Sequence, residues 1–164
     1  MLNTSCMKKF SLVVILLFIL TSCSSTKKVV TQPKKELSRA SRIVSNALKY
    51  KGVKYKFGGT TRRGMDCSGV IYVAFGEENF QLPRISRDMA KRGQKIPLSK
   101  VKKGDLLFFK TSKRRRGINH VGLIVSVNRG IIKFIHSTTS KGVIVSTLTQ
   151  KYWNNAFVKA TRVL

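Results

Sequence analysis

Hydrophobic and polar positions divide the chain into three stretches with different periods. Residues 10 to 20 are almost wholly apolar. That run is about half the ~20 residues a membrane-spanning helix needs, and Met7-Lys8-Lys9 just before it gives it the form of an export signal. Residues 24 to 38 are polar and basic, carry Pro33 and show no sustained apolar period, which predicts a flexible tether. Beyond Arg39 the pattern becomes that of a folded domain. Ile43, Val44, Ala47 and Leu48 fall at helical spacing, with Ser38 or Ser41 as cap and Gly52 as the stop. An extended piece and a Gly-rich loop follow. Asp66 then predicts the N-cap of a helix over 67 to about 75, and 84–93 reads as a short helix closed by Gly93. From residue 104 the period is two. Strands are expected over 104–110, 118–127, 131–138, 142–148 and 156–164, with a hairpin turn at 128–130. Helices first and an antiparallel sheet second make an α+β domain.

The 164 residues suffice for one such domain, and the organisation expected is 1–22 export signal, 23–38 tether and 39–164 domain. Met7 is the better start, because residues 1–6 add nothing a signal needs. The signal ends in Leu20-Thr21-Ser22-Cys23, which resembles the lipobox of bacterial lipoproteins. That resemblance implies cleavage before Cys23 and its lipidation, with several acyl chains giving a firm membrane anchor. Ser24 and Ser25 follow without an Asp, which by the same likeness favours the outer membrane, facing the periplasm.

Cysteine usage sharpens the picture. Cys6 leaves with the signal and Cys23 takes lipid, so Cys67 is the one thiol left and no disulfide is possible. A lone thiol in an exported chain is either a nucleophile or a small buried hydrophobe. The charge is extreme, with 33 Lys and Arg against 6 Asp and Glu and a net +27. Such a field favours anionic partners. The export signal argues against nucleic acid and for lipid headgroups or wall polymers.

Cys67 opens a helix, where the positive end of the helix and free N–H groups lower a thiol's pKa. The chain holds two histidines, His120 and His136. Their midpoint is residue 128, inside the expected hairpin turn, so the two should meet across one strand pair on one face. One imidazole then serves as base, and the other orients it. His120 is the better base. Cys67, the two histidines and Asp66 could instead hold zinc, but the short ligand spacings of zinc sites are missing. No cofactor is expected.

The segments YKFGG, MDCSG, LPRIS, KGDLLFF, NHVGLIV and FIHS occur in that order. Together they resemble the NlpC-type cell-wall cysteine peptidases over about three-quarters of the chain. The resemblance implies a papain-like fold and a peptidoglycan endopeptidase acting on stem peptides, usually at the bond between γ-D-glutamate and a diamino acid. It places Cys67 as nucleophile, His120 as base and His136 as third member. Tyr55 would support the oxyanion with the Cys67 N–H. Asp66 and Ser68 would take either the amine of a trimmed stem or plain helix-capping roles. Arg84 would meet a substrate carboxylate or brace its loop. Asp105 reads as a turn residue. Phe57 stands where relatives carry Trp or Tyr, a packing change. The hairpin is long for the family, so a bulge or wider turn near Gly130 should absorb the excess. The chain should act as a monomer. Two other readings use the same features: a non-catalytic wall-binding lipoprotein, and an amidase or acyltransferase on the same Cys–His pair.

Overall fold

The computed structural model describes residues 37–112 and 116–164. The expected export signal, Cys23 and residues 24–36 of the expected tether lie outside the described residues, and the tether's last residue, Ser38, belongs to the domain as a helix cap. Helix α1 (Arg39–Leu48) is capped by Ser38, whose Oγ accepts from the Ser41 N–H at 3.3 Å. It buries Ile43, Val44 and Ala47. It stops at Leu48, short of Gly52, because the sheet claims the next backbone: Gly52 N–H donates to the Val143 carbonyl at 2.8 Å. A two-residue ladder, β1 (Thr60–Thr61) with β2 (Gly64–Met65), orders the Gly-rich loop. Helix α2 (Cys67–Gly76) follows its Asp66 cap as expected. Helix α3 (Ser86–Met89) is a single turn, shorter than the run to Gly93 suggested.

The remaining chain builds one antiparallel sheet. Its strands are β3 (Gln94–Ile96), β4 (Leu106–Phe109), β5 (His120–Asn128), β6 (Ile131–Thr138), β7 (Gly142–Thr147) and β8 (Phe157–Arg162). They lie in the order β3-β8-β4-β5-β6-β7. A 3₁₀ turn (Leu98–Lys100) and helix α4 (Lys151–Ala156) complete the fold. Alternation along the strands divides the core between the two faces. Leu106, Phe108, Val121, Leu123 and Ile135 pack against α1 and α2. Leu107, Phe109, Ile124 and Phe134 pack with Trp153 and Ala156 of α4. All four residues of β4 are fully buried, each worth ~1.5–3 kcal/mol, so this strand can only be central.

The β5–β6 hairpin closes through Arg129 and Gly130, both at positive φ (47° and 78°), a tight two-residue turn. The excess length is therefore not absorbed near Gly130. It is taken up in mid-strand, where the register shifts between Ile124 and Ser126 and leaves Val125 as a bulge. Leu123 then faces Ile135, and the same register sets His136 across from Gly122, two residues from His120. The histidines are thus diagonal neighbours rather than directly opposed, a separation two imidazoles can bridge.

Candidate active site

Cys67 is the first residue of α2, and its position is set by the residues on either side. Asp66 turns the chain into the helix with extended φ/ψ and accepts from the Gly69 N–H at 2.6 Å. A Cβ on Gly69 would stand 2.1 Å from the Gly59 carbonyl oxygen, so only glycine lets the helix mouth lie against the preceding loop. The same carboxylate accepts from the Gly58 N–H at 2.8 Å, binding that loop from the other side. Arg84 grips it bidentately, at 3.0 and 2.9 Å, and also reaches the Ser68 hydroxyl and the Gly59 carbonyl. Asp66, Ser68 and Arg84, expected as flanking or substrate groups, are therefore joined to one another. Five donors, counting the Ser68 hydroxyl at 3.1 Å, already converge on the Asp66 carboxylate. Their capping and bracing roles are the ones visible in the geometry.

His120 and His136 meet. His120 Nε2 lies 2.9 Å from His136 Nδ1, and His136 Nε2 lies 2.9 Å from Ser146 Oγ of β7. All three residues are buried. This leaves Nδ1 of His120 as the ring nitrogen not engaged in the chain. Cys67 lines the same cavity as His120, and its thiol is close enough to the backbone N–H of Val121, the residue after His120, to be stabilised by it as thiolate. The N–H groups of Cys67 and Ser68 act in the same sense. Burial nevertheless outweighs them and pushes the thiol up, with the Asp66 charge adding to the rise. The expected lowering by the helix mouth is thus overruled by desolvation. Burial also lowers His120 to about 4 and, helped by the neighbouring ring, His136 to about 3. A neutral thiol and neutral imidazoles are the resting state these environments favour.

Trp153 explains the burial. Its indole stacks on His120 at 5.2 Å and 22° and meets His136 edge-on at 4.5 Å. Neither Trp153 nor Ser146 was singled out by the sequence, although Trp153 is the sole tryptophan. Two cavities meet at Cys67, Tyr55 and Asn119. The first, about 820 Å³, is walled by His120, Trp153 and the β6–β7 turn; the second, about 790 Å³, by Ser68, Arg84 and Ile85. Phe57 does not pack as expected: it is 80% exposed on the rim of the second cavity. Asp105 accepts from Arg162 at 2.8 and 2.7 Å, away from the cleft, as a structural ion pair. Among the described residues, no group of three or more His, Cys, Asp or Glu could hold a metal ion.

Comparison with known proteins gives one answer. The family model described as NlpC/P60 family matches residues 52–162. The chain is 36% identical over 160 residues to the Escherichia coli (strain K12) protein named "Probable endopeptidase NlpC", covering 94% of this chain and 99% of that one. It is 36% identical over 125 residues to the "Murein DD-endopeptidase MepS/Murein LD-carboxypeptidase" of the same organism, covering 76% of this chain and 63% of that one. It is also 36% identical over 121 residues to the "Gamma-D-glutamyl-L-lysine dipeptidyl-peptidase" of Bacillus subtilis (strain 168), covering 73% and 40%. Among solved structures, an NLP/P60-family protein of Staphylococcus aureus, described as similar to lipoprotein, superposes with a TM-score of 0.68 at 30% identity, covering 82% of this chain and 44% of that one.

Proposed function

Because the chain belongs to the NlpC/P60 family, we propose that it is a peptidoglycan endopeptidase that cuts stem peptides by thiol chemistry. The observation that carries this reading is the hydrogen-bonded His120–His136–Ser146 chain, whose His120 lines one cavity with a thiol at a helix mouth. His120 Nδ1 takes the Cys67 proton as the sulfur attacks the scissile carbonyl. The Cys67 N–H and the Tyr55 hydroxyl hold the oxyanion. His120 then gives its proton to the leaving amine, and the thioester that remains is hydrolysed by water with His120 again as base. His136, through its Nδ1, accepts the Nε2–H of His120 and steadies the imidazolium when it forms.

The bond we favour is that between γ-D-glutamate and the diamino acid, which the name of the Bacillus relative supports; the MepS name, a murein DD-endopeptidase, points to a bond between two D-centres instead. Cys23 would anchor the enzyme by lipid to the outer membrane, and the basic surface would hold it against the anionic wall. Wild type and Cys67→Ala are incubated with purified peptidoglycan and soluble stems, and products are identified by mass spectrometry. A new D-glutamate carboxyl end with wild type alone is expected. A new D-alanine end would move the bond to the cross-bridge. No product from folded wild-type protein would refute the hydrolase reading.

A further inference from the structure

The two lobes of the cleft offer a substrate different chemistry. His120 lines the first lobe and not the second. The group that protonates a leaving amine must reach it. On the proposed hydrolysis, on which this inference rests, the first lobe therefore receives the amine product and the second the acyl part. The first lobe has no Asp or Glu in its lining and has two exposed cations, Lys51 and Lys141. Both make backbone hydrogen bonds, Lys51 N–H to the Leu48 carbonyl and Lys141 N–H to Thr138 Oγ1, but neither ammonium group has a partner among the described residues. The acids of the described residues are paired elsewhere: Asp66 with Arg84, Glu77 with Lys49, Glu78 with Arg42, Asp88 with Lys91 and Asp105 with Arg162.

The two lysines are also held together by backbone. Gly52 N–H donates to the Val143 carbonyl and Val143 N–H to the Val53 carbonyl, both at 2.8 Å. Between them Gly142 sits at φ +64°, and a Cβ there would stand 2.1 Å from the Val53 oxygen. That clasp fixes the backbone after Lys51 against that after Lys141, so both lysines line the same lobe from one side. We propose that Lys51 and Lys141 form a carboxylate-reading rim, which selects substrates whose leaving amine belongs to a residue with a free carboxylate, as in a diamino acid of the stem. Ammonium groups act here as point charges, so recognition depends on charge and tolerates a change in side-chain shape.

The test uses two stem peptides that differ only at the diamino residue, one with its free carboxylate and one with the carboxamide. Binding to the full chain carrying Cys67→Ala is measured by calorimetry. The acid is expected to bind about threefold to tenfold more tightly than the amide, the size of two solvent-exposed ion pairs. That ratio should vanish when Lys51→Ala and Lys141→Ala are added, survive Lys51→Arg with Lys141→Arg, and shrink as salt is raised. Equal binding of acid and amide, no binding of either, or an unchanged ratio in the alanine variant overturns the proposal. Hydrolysis is followed separately with Cys67 intact: if neither peptide is cut while the binding ratio behaves as stated, the hydrolase reading falls and the rim stands.

Discussion

Replacing Ser146 with alanine removes one hydroxyl that takes no part in bond making or breaking, yet it should cost most of the turnover. The two hydrogen bonds of 2.9 Å have a direction. When Ser146 Oγ accepts the proton of His136 Nε2, His136 Nδ1 has a lone pair for the Nε2–H of His120, and His120 Nδ1 is left bare to take the thiol proton. Without the hydroxyl, that tautomer leaves the His136 Nε2–H unpaired at a fully buried residue. A buried donor without a partner costs about 1–3 kcal/mol. The alternative tautomer moves the His136 proton to Nδ1, which forces the His120 proton onto the nitrogen the thiol needs. The productive tautomer, and kcat with it, should therefore fall about fivefold to hundredfold. KM should change little, because Cys67, Tyr55 and the second cavity are untouched and the first cavity loses a single hydroxyl from its lining. Ser146→Thr, which keeps the oxygen, should recover most of the rate. Steady-state kinetics give the kcat–KM split, and ¹⁵N shifts of the two imidazoles report the tautomers. A Ser146→Ala variant with less than a twofold loss in kcat and unchanged imidazole shifts would refute the directional chain.

Acidity should affect rate and stability through the same rings. His120 is a base only while neutral, so kcat/KM should persist below pH 6 and decline as the pH falls through about 4; an acid limb at or above 6.5 would show that burial does not hold the imidazole down. The folded rings titrate below their ordinary 6.5, so their contribution to stability is complete above that value and is lost as pH falls from there through about 4 and about 3. Trp153→Ala opens both rings to water and should move the acid limb up toward 6.5, at a cost of about 3–5 kcal/mol in unfolding free energy; an unmoved limb would mean that something else keeps the rings dry. Arg84→Ala strands a carboxylate whose side chain is 11% exposed and should destabilise the fold by about 2–4 kcal/mol in urea unfolding, whereas a change below about 0.5 kcal/mol would return Arg84 to the role of a substrate group.

The sequence carried the parts of the fold that depend on local rules. Asp66 before an apolar run marks the start of α2 because an N-cap has a recognisable chemistry, and the alternation in β5 and β6 marks strands because two faces must be buried. The meeting of the histidines was legible for the same reason. What was not legible depends on contacts far apart in sequence. Helix α4 is six residues long and lies where Trp153 is needed over the histidines, and no period announces so short an element. Ser146 is one serine among several until β7 pairs with β6 and turns it toward His136. The bulge at Val125 answers to packing on both sheet faces and not to the turn. The pKa of Cys67 was misjudged because helix position is local, whereas the burial that outweighs it is assembled from the whole domain.

The place of β8 bears on the order of events when the chain is made. Strand β8 is the last element, yet it lies between β3 and β4, and Gln94 waits for Arg162 before it can pair. While the chain emerges, the segment bearing Cys67 and both histidines is complete long before its neighbour in the sheet arrives. Until then β4 has one open edge, and Phe109 lacks its partner Phe157. Such distant pairing forms slowly, because loop closure must come first. Assembly of the sheet therefore waits for residues 157–162, and until they arrive the core around the thiol and its base stays incomplete.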